Sequence, residues 1–287
     1  MDPQRRPRRR TALLPALALT YCLALTYGLA LASCATVVAL APEEMPPELQ
    51  GPAALLAEPG PGAYTITAGR IEGEFGHPVG YETYMPAEVR SEVMVILAHG
   101  FMRDLSSMRG WAALWASYGL RVTVMSLGNS TWFNGRHDRN AVDLQLLARS
   151  IHNGPVLYAG FSAGGLAAFV AAGRDERAVA YLGLDPVDSG SLAADNRHRL
   201  TVPALFLLAE ASSCNAKNNI LEAIPERSGL TTVRVQHAIH CHFENPTDSA
   251  CESVCGRVEP PEAGERITAR IRSLATAWVL KQTGVTP

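Results

Sequence analysis

The chain has 287 residues, of which 47% are hydrophobic and 18% are charged, and its formal net charge at pH 7 is -2. This composition is too apolar for an intrinsically disordered protein, and no collagen-like or heptad repeat is present. The charge lacks the basic footprint of a nucleic-acid-binding protein, so we expect no nucleic-acid partner.

The N-terminus has the pattern of an export signal. Five arginines lie within the first ten residues, and residues 11–41 carry no charge at all. A basic region before an apolar stretch directs export or membrane insertion. Residues 31–34 (Leu-Ala-Ser-Cys) resemble a bacterial lipobox with Cys34 as the lipidation candidate, and residues 30–32 (Ala-Leu-Ala) suit ordinary cleavage. An uncleaved anchor is a third interpretation, because about 20 apolar residues span a bilayer.

We therefore divide the chain into three parts. Residues 1–41 are predicted to be a signal peptide, a lipoprotein signal or a membrane anchor. Residues 42–62 contain six Pro, three Gly and four Glu, which indicates a linker. Residues 63–287 form the predicted catalytic domain. The protein is expected to be periplasmic, extracellular or membrane-anchored.

The domain alternates strand and helix signals, which is typical of an α/β fold with a mostly parallel central sheet and helices on both faces. The predicted strands cover residues 64–71, 79–85, 93–98, 121–125, 155–158, 179–184, 204–208 and 232–236, the first two being antiparallel. The predicted helices cover residues 108–118, 140–152, 163–172, 218–223 and 263–281.

His99, Gly100 and Phe101 directly follow the third predicted strand. Gly100 permits an unusual turn, after which the backbone N–H of Phe101 can face a reaction centre. We take this N–H and that of Ala163 as the two donors of a candidate oxyanion hole. A plain turn at this point is the structural alternative.

The strongest motif is Gly-Phe-Ser-Ala-Gly at residues 160–164, which fits G-x-S-x-G between a predicted strand and a predicted helix. Ser162 would occupy a sharp turn, and the two glycines would remove the Cβ atoms that collide where helix and strand approach. Ser162 is therefore the candidate nucleophile, and a glycine-rich loop is the alternative.

A serine nucleophile needs a histidine base that is oriented by a carboxylate, in the chain order Ser, acid, His. Asp185 directly follows the strand over residues 179–184 and is the preferred acid. Asp188 and Glu210 are the alternatives, which otherwise serve as capping or turn carboxylates.

Three histidines follow the last predicted strand: His237, His240 and His242. His240 is the preferred base because it lies in the loop proper, from which its ring can reach Ser162. A zinc site formed by these histidines with Cys241 is less favoured, because neighbouring side chains point apart and lack the usual ligand spacing. The other histidines of the chain are expected to be structural or exposed.

Four cysteines remain after the leader: Cys214, Cys241, Cys251 and Cys255. An even number in an exported chain suggests two disulfides. Since consecutive strands are usually neighbours, the loops that carry Cys214 and Cys241 should meet. We therefore expect Cys214–Cys241 and a local Cys251–Cys255 bridge.

These motifs resemble those of the α/β-hydrolase superfamily, and most of all the group of plant chlorophyllases, cutinase-like polyester hydrolases and platelet-activating-factor acetylhydrolases. The resemblance covers residues 64–287 and includes Asp-Pro-Val-Asp at 185–188 and the histidine loop at 240–247. It implies an α/β-hydrolase fold with Ser162, Asp185 and His240 as the triad. The chain differs from the polyester hydrolases in lacking their Asp after the strand at 204–208.

The sequence thus predicts an exported, lipase-like serine esterase that acts on a small-molecule or lipid-like ester. We expect it to need neither a metal nor an organic cofactor. An amidase or peptidase on the same fold is one alternative, and a membrane-tethered binding protein with an inactive site is another. Four residues in predicted rim loops suit an acyl or aromatic group: Phe101, Met102, Trp132 and Phe133.

Overall fold

The computed structural model describes residues 37–39, 56–225 and 227–287. Its strands are β1 (Val37–Ala39), β2 (Tyr64–Glu72), β3 (Pro78–Pro86), β4 (Met94–Ala98), β5 (Arg121–Met125), β6 (Val156–Phe161), β7 (Ala178–Leu184), β8 (Ala204–Leu208), β9 (Leu230–Arg234) and β10 (Arg257–Glu259). Its α-helices are α1 (Arg109–Ser117), α2 (His137–Ile151), α3 (Ser162–Arg174), α4 (Leu192–Asn196), α5 (Ser249–Cys255) and α6 (Pro261–Thr283).

A mixed sheet of eight strands forms the centre of the domain, in the order β2-β3-β5-β4-β6-β7-β8-β9. The pairs β2–β3 and β3–β5 are antiparallel, and all the remaining pairs are parallel. Strands β4, β6 and β8 are buried at every position, as expected for continuous apolar runs covered on both faces. The predicted α/β class with a mostly parallel sheet is confirmed.

Helices cover both faces of this sheet. On one face the indoles of Trp111 and Trp115 in α1 pack in the same apolar cluster as Ile267 and Ile271 of α6. On the other face, α2 and α3 pack against the sheet in a second cluster that includes Phe169. Two separate apolar cores therefore cover the two faces of the sheet. The candidate site lies at the carboxyl ends of the parallel strands.

The described parts of the N-terminal region contact the domain. Strand β1 pairs in parallel with β10. Near the end of the predicted linker, the N–H groups of Gly60 and Gly62 donate to Ser117 at the end of α1, and Tyr118 donates to the carbonyl of Glu58.

Apart from β1, the predicted leader with its lipidation candidate Cys34 lies outside the described residues. Within the part of the chain that is described, no helix is long and apolar enough to cross a membrane.

Candidate active site

Ser162 stands at the junction of β6 and α3, where the backbone turns sharply. Its φ of 52° lies in the left-handed region, which is uncommon for a residue other than glycine and places its side chain at the end of the strand. A Cβ atom on Gly160 would collide with the backbone of Gly164, and one on Gly164 with the carbonyl of His99. The two glycines of the motif thus allow the close approach of helix and strand that the turn requires.

Asp185 directly follows β7 and is completely buried. Its Oδ1 accepts the backbone N–H of Ala209 at 2.9 Å, and its Oδ2 lies 2.6 Å from Nδ1 of His240. A buried carboxylate needs such donors, because burial of an unpaired charge is costly. The backbone N–H of the residue that follows β8 and the imidazole therefore fix the orientation of this carboxylate.

His240 bridges the other two predicted residues. Its Nδ1 faces Asp185, and its Nε2 lies 3.0 Å from Oγ of Ser162. The ring of Phe161 lies beneath the imidazole, with 4.5 Å between ring centroids. In the tautomer that donates from Nδ1 to the carboxylate, Nε2 is the acceptor that a serine hydroxyl needs. The structure brings together the three residues that the sequence selected.

The rival residues have other partners. Oδ1 and Oδ2 of Asp188 accept the N–H groups of Ala193 and Ala194 in α4, so this carboxylate caps a helix. Glu210 is exposed and accepts the N–H of His237 at 3.3 Å. His242 is buried, and its Nδ1 accepts the N–H of Ile239 at 3.1 Å. Burial lowers the pKa of His242 to about 4, so the ring is neutral near pH 7.

One supporting residue was missed by sequence reasoning. Asn215 is completely buried, and its Nδ2 donates to both carboxylate oxygens of Asp185, at 3.4 and 3.2 Å, and to the carbonyl of Glu210 at 2.9 Å. Its Oδ1 accepts the N–H of Ser212. A neutral amide donor stabilises the carboxylate without adding a charge that competes with the imidazolium. Nothing in the local sequence signals this role.

The loop after β4 contains the predicted oxyanion donor Phe101. His99 holds this loop: its Nε2 accepts the N–H of Leu127, and its Nδ1 donates to the carbonyl of Gly100 at 2.8 Å. Burial lowers the pKa of His99 to about 4, which keeps this tautomer neutral. Ala163 is the second residue of α3, and the first N–H groups of a helix have no partner inside it.

An ion-pair cluster joins the loop after β4 to the histidine loop at residues 240–247. Nε and Nη2 of Arg103 donate to the two carboxylate oxygens of Glu244, at 2.6 and 3.0 Å, and Nη2 also lies 2.8 Å from Asp248. The carboxylate of Glu244 is fully buried. Burial raises the pKa of Glu244, while its bonds to Arg103 oppose that rise. Such a bidentate pair fixes geometry as well as charge.

The four cysteines form two disulfides, but the predicted pairing is wrong. The bridges are Cys214–Cys255 and Cys241–Cys251. Cys251 and Cys255 lie one turn apart on α5, and residues at this spacing are about 5–6 Å apart at Cβ, farther than a disulfide spans. Each cysteine instead reaches a different loop. The disulfides are compatible with an exported protein.

Three cysteine sulfurs, those of Cys241, Cys251 and Cys255, lie within 4.8 Å of one another. A metal would need them as thiolates, whereas all three are engaged in disulfides. This cluster therefore does not form a metal site in the oxidised protein.

The predicted rim residues differ in exposure. Trp132 and Phe133 are 76% and 99% exposed, and Met102 is 55% exposed. Trp132 and Met102 line a cavity of about 270 Å³ beside the loop after β4. Phe101 also lines this cavity, and its ring packs edge-on against His137.

No protein-family model matches the chain, and no curated protein matches it significantly. The function of the site is therefore inferred from its geometry.

Proposed function

We propose that the protein is a serine hydrolase of the α/β-hydrolase superfamily that cleaves carboxylic esters through an acyl-enzyme. One observation carries the proposal: a continuous chain of hydrogen-bonded atoms runs from Oγ of Ser162 through His240 to Asp185, with steps of 3.0 and 2.6 Å. The positive φ of Ser162 at a strand-to-helix junction supports the same assignment.

In the first half-reaction, Oγ of Ser162 attacks the ester carbonyl carbon while Nε2 of His240 takes the hydroxyl proton. The N–H groups of Phe101 and Ala163 would stabilise the oxyanion, and one such donor contributes about 3 kcal/mol in the transition state. The C–O bond then breaks, and His240 gives its proton to the leaving alcohol. Asp185 stabilises the imidazolium that forms between these two transfers.

In the second half-reaction, His240 takes a proton from water, and the hydroxide attacks the acyl group on Ser162. Collapse of the tetrahedral intermediate releases the carboxylic acid and returns the proton to Oγ. We further propose that this chemistry takes place outside the cytoplasm, which the two disulfides support.

A paired substrate test addresses the reaction type. A p-nitrophenyl ester and the p-nitroanilide with the same acyl group are offered to the purified protein and to Ser162→Ala. We expect the ester to be hydrolysed much faster, and the variant to lose roughly 10³-fold or more in kcat. Preferred cleavage of the anilide would indicate an amidase, and unchanged turnover by the variant would contradict the proposal.

A further inference from the structure

A cavity of about 400 Å³ opens beside Ser162 and His240, and the proposed chemistry does not by itself assign its occupant. Its volume lies in the range of small-molecule sites, about 300–1,000 Å³. Residues 100–103, in the loop after β4, line one side, and α5 lines another. The α5 residues in its lining are Ala250, Cys251, Val254 and Cys255.

Helix α5 presents an apolar edge to this cavity. Ala250 and Val254 are four residues apart and therefore lie on one side of the helix. Val254 is 66% exposed although it is a large apolar residue, and Met102, also in the lining, is 55% exposed. The mouth of the cavity thus has two exposed apolar side chains from separate segments of the chain.

Both disulfides fix α5 in this position. Cys251 is bonded to Cys241, the residue after His240, and Cys255 is bonded to Cys214, the residue before Asn215. A helix of seven residues has little stability of its own, so these bonds and its cap determine where it lies. The cavity wall is therefore tied covalently to the loops that hold the base and the acid.

The charges of the lining disfavour an anionic ligand. Besides His240, the ionisable side chain in the lining is Arg103. Its guanidinium already contacts the carboxylates of Glu244 and Asp248, so the cluster carries one excess negative charge when both are ionised. A carboxylate on the ligand would meet this charge without a free cation to balance it.

Resting on the hydrolase function proposed above, we propose that this cavity holds the acyl group of the ester, and that Val254 of α5 limits its length. The acyl group stays bonded to Ser162 through both half-reactions, whereas the alcohol must leave after the first. A cavity that contains the nucleophile therefore suits the acyl side. The substrate class is an ester of an uncharged, apolar carboxylic acid of short to medium chain length.

The test is a chain-length profile of the full-length protein with p-nitrophenyl acetate, butyrate, hexanoate and octanoate. Burial of one methylene favours binding about three- to fourfold, so kcat/KM should rise with length while the cavity fills. Val254→Phe should lower the octanoate-to-acetate ratio of kcat/KM by at least roughly tenfold. Val254→Ala should raise that ratio.

Ser253→Phe is the matched control, because Ser253 is the exposed neighbour on α5 and lies outside the cavity lining. It should leave the profile unchanged, and peptide mapping should find both disulfides in each variant. A second arm compares octyl acetate with ethyl acetate, and Val254→Phe should not alter that ratio. In a third arm, the p-nitrophenyl monoester of glutaric acid should react at least roughly tenfold more slowly than the hexanoate.

An unchanged chain-length ratio in Val254→Phe would overturn this assignment while leaving the ester hydrolase intact. An altered octyl-to-ethyl ratio would place the alcohol in the cavity and overturn it equally. If the wild-type protein has both disulfides formed and hydrolyses none of these esters, the proposed function and this inference are both overturned.

Discussion

The two sides of the candidate triad are held in different ways. Ser162 and Asp185 directly follow Phe161 and Leu184, which face each other in the register of β6 and β7. Backbone pairing between two buried parallel strands therefore brings the hydroxyl and the carboxylate to the same edge. His240 begins a short 3-10 turn beyond β9, where no sheet pairing holds the chain.

Contacts distant in sequence hold the histidine segment instead. The indole N–H of Trp111 donates to the carbonyl of Phe243 at 2.9 Å, and the N–H of Gly110 donates to that of Asn245 at 2.7 Å. The Arg103–Glu244 pair and the Cys241–Cys251 bridge add to these contacts.

One side of the site thus depends on the folded sheet, while the other depends on a few separate cross-links. Changes to those cross-links should therefore reduce activity without unfolding the core.

The largest effect is expected on the sheet side. Asp185→Asn should cost about 10⁴-fold in kcat, because the amide favours the wrong imidazole tautomer. Asp188→Asn and Glu210→Gln should cost much less, since these carboxylates contact backbone N–H groups away from His240. Steady-state kinetics on the three purified variants gives the ranking, and a greater loss in either control would place the acid elsewhere.

The two disulfides should separate activity from stability. Removing Cys241–Cys251 by double serine substitution should lower kcat by roughly 10²-fold, because displacement of His240 by about 1 Å has that cost. Removing Cys214–Cys255 should cost less activity but more stability. The separations of 41 and 10 residues correspond to about 4 and about 3 kcal/mol in the chain-entropy model.

Urea denaturation and kinetics of both double variants measure these two effects. A greater loss of kcat on removal of Cys214–Cys255 than on removal of Cys241–Cys251 would contradict this account. It would show that the position of His240 does not depend mainly on the Cys241–Cys251 bridge.

A smaller effect is expected at Asn215. Asn215→Asp replaces a donor to Asp185 with a second carboxylate, and the added negative charge favours protonated forms of the triad. We expect kcat/KM at pH 7 to fall roughly tenfold, about 1.4 kcal/mol, and the acidic limb of its pH profile to move to higher pH.

Asn218→Asp is the matched control for this change. Asn218 lies in the same loop and is also buried, but its Nδ2 donates to the carbonyl of Ala209. Its φ of 60° is one that Asp tolerates. This variant should lose stability without moving the pH profile. An equal shift of the acidic limb in both variants would show that Asn215 has only a structural role.

The last effect concerns stability and not activity. Burial lowers the pKa of His242 to about 4, so the folded protein binds this proton less readily than the unfolded chain, whose histidine has a pKa near 6.5. The stabilisation is therefore complete above about pH 6.5 and is lost as the pH falls towards 4. Between pH 7 and 4.5 the loss from His242 should be roughly 2 kcal/mol.

His242→Asn keeps an acceptor for the N–H of Ile239 and removes the titration. Its free energy of unfolding should therefore depend less on pH than that of the wild type, as measured by denaturation at several pH values. An identical pH dependence in the two proteins would show that His242 does not contribute to it.

The same contrast explains which features could be predicted from the sequence: those set by local signals could be, and those set by contacts distant in sequence could not. Strands β5 and β8 have the predicted bounds because their apolar runs are local signals. The Gly-Phe-Ser-Ala-Gly motif at residues 160–164 and Asp185 at a strand end are also local signals, and the structure brings both to His240.

Helix α5 was missed because its seven residues have little apolar periodicity. Its position depends on Cys214 and Cys241, which lie elsewhere in the chain. The disulfide pairing was wrong for the same reason, since connectivity is a property of the folded chain and not of cysteine spacing. Asn215 could not be predicted either, because its role arises only when its loop meets Asp185.

Labelling with a fluorophosphonate probe tests the central claim most directly, namely that Ser162 is a nucleophile activated by His240. The intact, disulfide-bonded protein is treated with the probe and mapped by peptide mass spectrometry. We expect one modified residue, Ser162, with no label in Ser162→Ala and much slower labelling in Asp185→Asn. Absence of label on the wild-type protein, or an equal amount of label on Ser162→Ala, would contradict the claim.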